Sequence, residues 1–100
     1  MKMIVVTSVD QYRDELLQLF GKAGVERFSG SDISGYRENP ELLTGSWFPT
    51  RQGGSPSNLF FSFAKAEKVG ELFRLLEEFN REKGGNNPVR AVEVSVERFI

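Results

Sequence analysis

The chain of 100 residues is predicted to form one α+β domain, residues 1–100, with the element order βαββαβ. Three observations lead to this prediction. Two segments repeat apolar residues at helical spacing, and shorter segments rich in β-branched or aromatic residues read as strands. Only the connection between the second and third strands is long, and long loops in compact domains are usually functional.

The first strand is predicted over residues 3–6, a short apolar run rich in β-branched side chains. Ser8 and Gln11 have the spacing of a capping box, and Asp10 is a second candidate for the cap of the next helix. Gly24 is expected to end that helix in a left-handed conformation. The apolar face of the helix consists of Tyr12, Leu16, Leu19, Phe20 and Ala23.

The second strand is predicted over residues 25–36, where Gly30 and Gly35 indicate a bulge or a close backbone approach. Residues 37–57 have no periodicity and contain prolines and glycines, so we predict a long loop there. Residues 58–64 are predicted to form the third strand. One face of that strand carries Leu59, Phe61 and Phe63.

The second helix is predicted over residues 65–83, with Gly84 or Gly85 as its C-terminal cap. The last strand follows Pro88, because valines alternate there with polar residues. The apolar stripe of the helix is Val69, Leu72, Phe73, Leu76 and Phe79.

Right-handed crossovers would combine these elements into a ferredoxin-like sandwich, in which both helices cover one face of a four-stranded antiparallel sheet. The opposite face has no helix over it, and we expect Phe28, Phe60 or their neighbours to make it partly apolar. A half-covered apolar sheet commonly associates with a copy of itself. The pattern therefore predicts an oligomer.

Composition excludes several classes of function. The net charge is −1, so the chain has no basic footprint for nucleic acid. Cysteine and histidine are both absent, which removes disulfides, thiolate chemistry, the commonest general base and the commonest transition-metal ligand. We predict no metal site. The apolar run near residue 1 is too short for a signal peptide or a membrane span, so we expect a cytoplasmic protein without membrane insertion.

The whole chain resembles the PII-type signal-transduction proteins and their PII-like relatives. The segment "GVERFSGSDISGYRENP" is similar to the second strand of that family leading into its long T-loop, here residues 37–57. The segment "NLFFSFAKAEKVGELFRLLEEF" is similar to the third strand and second helix, and "REKGGNNPVRAVEVSV" occupies the place of the B-loop and last strand. The resemblance covers all 100 residues and rests on element order, loop position and lengths.

This resemblance implies a non-catalytic regulatory protein that forms a homotrimer with its sheets packed inward. It implies small ligands, usually adenine nucleotides, in clefts between subunits, and a T-loop that contacts a target protein. Residues 44–57 contain no tyrosine and no lysine follows Gly85, so the chain resembles a divergent member. No particular cofactor is predicted.

The candidate ligand-binding residues flank the predicted loops. The resemblance implies that Tyr36 lies at the mouth of an intersubunit cleft, where its ring could stack on a base. The bare backbone after Lys83 could approach a phosphate, although the same residues also suit a plain helix C-cap, whose partial negative charge opposes phosphate. The full set is Gly35, Tyr36, Arg37, Lys83, Gly84, Gly85 and Arg90.

Trp47, Phe48 and Arg51 are the candidate partner-binding residues within the long loop. Tryptophan and arginine are favoured at binding hot spots. The two rings could equally pack against a neighbouring subunit and tether the loop. In both cases they are expected to contact a protein surface.

Two other classes share this element order. A dimeric ferredoxin-like α/β-barrel enzyme, or another small-molecule-binding protein, is the alternative function. RNA-recognition domains need aromatic residues on two central strands and a basic surface. The first strand, "MIVVTS", has no aromatic residue, which disfavours that class.

Overall fold

The computed structural model describes residues 1–35 and 55–100. A 3-10 turn, Asp10–Tyr12, precedes the first helix, and a π-helical turn, Asn80–Gly84, follows the second. The main elements are β1 (Lys2–Val9), α1 (Arg13–Lys22), β2 (Ser29–Gly35), β3 (Ser55–Ala64), α2 (Ala66–Phe79) and β4 (Arg90–Ser95). The predicted order βαββαβ is confirmed.

The four strands form a single antiparallel sheet in the order β2-β3-β1-β4. β1 lies in the interior of the sheet, where Val5 pairs with Phe61 on one side and Val92 on the other. Residues directly opposite each other in such a ladder project from the same face. The register therefore assigns every strand residue to one of two faces.

Both helices pack on the face that carries Ile4, Val6 and Phe60. Three phenylalanine rings meet edge to face at the β2 end of this core. The centroid of Phe20 lies 4.8 Å from that of Phe28 and 5.5 Å from that of Phe60. The helices contribute buried Leu16, Phe20, Val69, Leu72, Leu76 and Phe79.

We call the opposite side of the sheet the open face. The register places on it Met3, Val5, Leu59, Phe61, Phe63, Val92 and Val94. Phe61 and Phe63 are each 41% exposed, and the ring of Phe99 lies 5.3 Å from that of Phe63. An open apolar face was predicted, but Phe28 and Phe60 are not on it. Phe60 pairs with Val6, so the Phe60 ring points toward the helices. Successive strand residues point to opposite faces, so the neighbouring Phe61 points outward.

The predicted capping box at Ser8 does not form. Ser8 belongs to β1, and its hydroxyl donates a hydrogen bond to the carbonyl of Val9. The Asp10 side chain does not cap the helix either, because its carboxylate accepts a hydrogen bond from Asn58. Glycine caps were predicted correctly: Gly24 has a φ of 80° and Gly85 a φ of 53°.

Several element bounds differ from the prediction. β1 was predicted over residues 3–6 and runs from Lys2 to Val9. β3 begins at Ser55, so residues 55–57 of the predicted loop belong to a strand that pairs with residues 33–35. β2 begins at Ser29 rather than at residue 25. The regular part of α2 ends at Phe79, and the predicted remainder adopts the π-helical turn. No helix in the two described ranges is long and apolar enough to cross a membrane.

Candidate functional site

All four strands meet at one edge of the sheet, where β1 and β2 end and β3 and β4 begin. We call this the loop edge. Gly35 and Arg90 both lie there, but on the two outer strands, β2 and β4. Three strand spacings of about 4.8 Å put them at least about 14 Å apart. One chain therefore does not bring these two predicted ligand residues together.

Lys83 is held against α1 by its side chain and its carbonyl. Its Nζ lies 2.7 Å from Oε2 of Glu15 and 5.9 Å from the centre of the Phe79 ring. The hydroxyl of Tyr12 donates a hydrogen bond of 2.7 Å to the Lys83 carbonyl. The hydrogen bond to Glu15 and the charge of that carboxylate raise the pKa of Lys83. This ammonium is already paired, so we assign it to the contact between the helices.

Asn80 fixes the turn between the second helix and β4. Its side-chain amide donates to the carbonyl of Val89 at 2.8 Å, and its Oδ1 accepts from the Val89 N–H at 2.7 Å. The Asn87 N–H donates to the Gly84 carbonyl within the same turn. These bonds hold residues 84–89, the B-loop-like segment, in one shape. Asn80 is not among the predicted site residues, because its partner lies nine residues away and no motif marks the pair.

A second missed contact joins the start of β3 to the turn before α1. Asn58 is 2% exposed, and its Nδ2 donates a hydrogen bond of 2.9 Å to Oδ1 of Asp10. The pair is separated by 48 residues, so only the sheet brings it together. Tyr36, Arg37, Trp47, Phe48 and Arg51 lie outside the described residues.

A cleft of about 490 Å³, which we call the basal cleft, opens at the end of the sheet opposite the loop edge. Arg27, Lys65 and Lys68 line it, and none of them forms an ion pair with another residue of the described ranges. Glu26 is the only acidic residue of the lining. The rest of the lining is apolar or small: Met1, Gly24, Val25, Ser62, Phe63 and Ala64.

The wall of the basal cleft is built by the segment between α1 and β2. Ser62 of β3 donates its hydroxyl hydrogen bond to the carbonyl of Arg27. The aliphatic stem of Lys68 passes close to the Cα of Gly24, because a Cβ there would lie 3.6 Å from its Cδ and Cε. Apolar surface below several unpaired cations suits an anionic ligand with an apolar ring.

A single antiparallel sheet with two helices on one face, a βαββαβ order and a long segment between β2 and β3 defines a PII-like fold. Solved structures agree. CPII, a nitrogen regulatory PII-like protein from Thiomonas intermedia K12 bound to ADP, AMP and bicarbonate, aligns with a TM-score of 0.63 and 18% identity, over 99% of this chain and 94% of CPII. A DUF3240 family protein from Shewanella baltica OS155 aligns with a TM-score of 0.68 and 14% identity, over 98% and 91% of the two chains.

No family model matches the chain, and no curated protein matches it. The relationship is therefore one of fold. Within residues 1–35 and 55–100, no group of three Asp, Glu, His or Cys side chains is placed to hold a metal ion.

Proposed function

We propose that this chain is a non-catalytic PII-like regulatory protein of the cytoplasm. It forms a homotrimer, binds a small anionic ligand between subunits and contacts a target protein through residues 37–54, the part of the predicted loop that precedes β3. The observation that carries this proposal is the apolar open face on a PII-like fold. The absence of histidine and cysteine from the sequence supports a binding role over catalysis.

The open face supports self-association. Aromatic and β-branched side chains from three neighbouring strands are adjacent on it, and neither α1 nor α2 covers them. A contiguous apolar patch of this kind usually marks a protein contact. Closed rotational symmetry buries the same patch on every copy, and a threefold arrangement brings three sheets together.

The ligand site is proposed to need two copies. Gly35 and Arg90 lie on opposite outer strands, so neighbouring copies have to complete a site at the loop edge. We place the basal cleft of one copy against the loop edge of the next. Arg27, Lys65 and Lys68 supply positive charge for phosphate, and Val25 and Ala64 supply an apolar wall for a base. CPII, with the same fold, is bound to ADP and AMP.

Titration calorimetry with ADP, AMP and adenosine tests the ligand class. We expect ADP or AMP to bind the full chain more tightly than adenosine, because the phosphate meets the three cations. Lys68→Met keeps most of the stem over Gly24 but removes the charge, and it is expected to weaken binding about tenfold. Lys22→Met is the matched control, since Lys22 is exposed on α1 and does not line the cleft. Equal affinity of the wild type and Lys68→Met would contradict this site.

The loop is proposed to contact the target through Trp47, Phe48 and Arg51. We expect Trp47→Ala to leave the melting temperature unchanged and to weaken binding to a partner or a neighbouring subunit. Circular dichroism, native mass spectrometry and affinity capture of partners measure these effects. Unchanged assembly together with unchanged partner capture would contradict the proposed role of Trp47.

A further inference from the structure

A second cleft, of about 290 Å³, opens between α1 and β2 on the helix side of the sheet. We call it the α1–β2 cleft. It shares no residue with the basal cleft and none with the predicted ligand-binding set. Its lining comprises Arg13, Leu17, Phe28, Gly30, Ser31, Asp32, Asn58 and Phe60.

The floor of this cleft is apolar and rigid. Phe28 and Phe60 are part of the edge-to-face ring cluster with Phe20, and Leu17 packs against the same core. Gly30 keeps the floor in place, because a Cβ at this position would lie 2.6 Å from the Phe60 ring. Phe60 itself is only 4% exposed, so the apolar surface open to a ligand comes mainly from the partly buried Leu17 and Phe28.

The two charged residues of the lining have opposite signs and come from different elements. Arg13 begins α1 and Asp32 lies in β2, on the strand face that points toward the helices. Neither side chain forms an ion pair or a hydrogen bond with another residue of the described ranges. Asn58, buried beside them, is fixed by its hydrogen bond to Asp10. The cleft therefore presents an anion-binding and a cation-binding group above one apolar floor.

From this arrangement we infer that the α1–β2 cleft binds a zwitterionic α-amino acid with an apolar side chain. The guanidinium of Arg13 binds the carboxylate of the amino acid, and the carboxylate of Asp32 binds its ammonium group. The side chain of the ligand covers the exposed parts of Leu17 and Phe28. The volume is just below the usual range for ligand pockets, about 300–1,000 Å³, and suits a small metabolite. This site is additional to the proposed nucleotide site.

Nuclear magnetic resonance titration of the ¹⁵N-labelled full chain tests the inference with three probes of similar shape. L-Leucine carries both charges, 4-methylpentanoate lacks the ammonium group, and 3-methylbutylamine lacks the carboxylate. We expect leucine to shift the amide signals of Gly30, Ser31 and Asp32 in a saturable way. Each probe with a single charge is expected to bind at least tenfold more weakly than leucine, because either Arg13 or Asp32 is then left without a partner.

Two variants assign the charges. Arg13→Gln is expected to abolish the preference for leucine over 3-methylbutylamine, the probe without a carboxylate. Asp32→Asn is expected to abolish the preference for leucine over 4-methylpentanoate, the probe without an ammonium group. Arg81→Gln and Asp14→Asn are the matched controls, since both residues are exposed and lie outside the cleft. They are expected to retain the affinity of the wild type for leucine.

Three results would overturn the inference. One is the absence of saturable shifts at these amides with millimolar leucine. Another is equal binding of leucine and the probes with a single charge, which would reduce the cleft to an apolar patch. The third is unchanged selectivity in both Arg13→Gln and Asp32→Asn, with circular dichroism showing that the variants are folded.

Discussion

At the scale of single residues, Asn80 fixes the segment that leads into β4 at the loop edge. It satisfies both backbone groups of Val89 and so closes the segment that the PII-like resemblance assigns to the B-loop. A backbone N–H and C=O left without partners would cost the desolvation of each group. Asn80 is therefore a positioning residue for the loop edge.

We predict that Asn80→Ala lowers the free energy of unfolding by about 1–3 kcal/mol, because two hydrogen bonds in a partly buried position are lost. Urea denaturation measures the loss, and hydrogen exchange at the Val89 amide locates it. Asn86→Ala, an exposed position in the same turn, is the control and should stay within about 0.5 kcal/mol of the wild type. Equal stability of the two variants would show that Asn80 does not hold the turn.

Gly30 gives a second prediction for a single residue. Gly30→Ala would place a Cβ 2.6 Å from the Phe60 ring, and Phe60 is buried within a ring cluster that leaves it little room to move. We expect a loss of about 1–3 kcal/mol in thermal or urea unfolding. Gly70→Ala is the control: its Cβ meets nothing within 4 Å, and in a helix we expect a gain of about 0.5–1 kcal/mol. A neutral or stabilising Gly30→Ala would contradict the assigned packing.

Some of these residues could be predicted from the sequence and others could not. Gly24 and Gly85 were predictable as caps, because a positive φ disfavours every residue with a side chain. Asn80 and the Asn58–Asp10 pair were not, because their partners are distant along the chain. The charges of Arg13 and Asp32 in the α1–β2 cleft follow from the sequence. Only the register of β2 and β3 shows that Asp32 lies on the helix side of the sheet.

At the level of helices and strands, the two helices are joined where α1 begins and the π-helical turn ends. Tyr12 packs edge to face on Phe79 at 5.1 Å, and its hydroxyl bonds to the Lys83 carbonyl. The Lys83–Glu15 pair completes this contact. The side chain of Lys83 is 57% exposed and that of Glu15 is 39% exposed, so the pair is expected to be weak and sensitive to salt.

The pH dependence of this contact follows from the raised pKa of Lys83, whose main cause is the hydrogen bond to Glu15. A pKa raised on folding contributes stability that is complete below about pH 10.4, the usual value for lysine, and is lost as the pH rises through the folded value. We predict that Glu15→Gln is slightly less stable than the wild type at pH 8 and that this difference disappears at strongly alkaline pH. Urea denaturation at both pH values measures it.

Glu77→Gln is the control for this prediction, because Glu77 is exposed on α2 and pairs with no residue of the described ranges. A ¹³C titration of the Lys83 side chain gives an independent readout. Its pKa is expected to fall in Glu15→Gln and to stay raised in Glu77→Gln. An unchanged Lys83 pKa in Glu15→Gln would disprove the contact in solution.

The order of the elements was predictable, because the spacing of apolar residues distinguishes helices from strands. The bounds of the elements were not predictable. Strand length is set by pairing, and residues 55–57 (Ser-Pro-Ser) extend β3 only because residues 33–35 lie opposite them. Ser8 reads as a helix cap in isolation, yet it is buried in β1. In both cases tertiary pairing overrides the local signal.

For the whole molecule, the open face links the fold to the proposed assembly. Alternation predicted that Leu59, Phe61 and Phe63 share a face, and the register shows that it is the face without helices. The prediction named Phe28, Phe60 or their neighbours for the open face, and the register places there the neighbours of Phe60, Leu59 and Phe61. The choice between them was not predictable, because either face of an aromatic-rich strand looks apolar in isolation. Phe99 covers part of Phe63 but leaves Phe61, Val92 and Val94 exposed.

We predict that Phe61→Glu prevents assembly, because it would bury an unpaired carboxylate among the sheets of the trimer. The chain itself is expected to stay folded, since Phe61 is exposed in a single copy. Light scattering after gel filtration measures the mass, and circular dichroism measures the fold. Gln18→Glu adds the same charge on the exposed side of α1 and should assemble like the wild type.

The central claim is that three copies associate through the open face, and native mass spectrometry of the gently purified full chain tests it most directly. We predict the mass of three chains in the wild type and of one chain in Phe61→Glu. Additional mass on the trimer would identify a bound ligand by difference. A wild type that is monomeric or dimeric at micromolar concentration would contradict the proposed assembly and the intersubunit ligand site that depends on it.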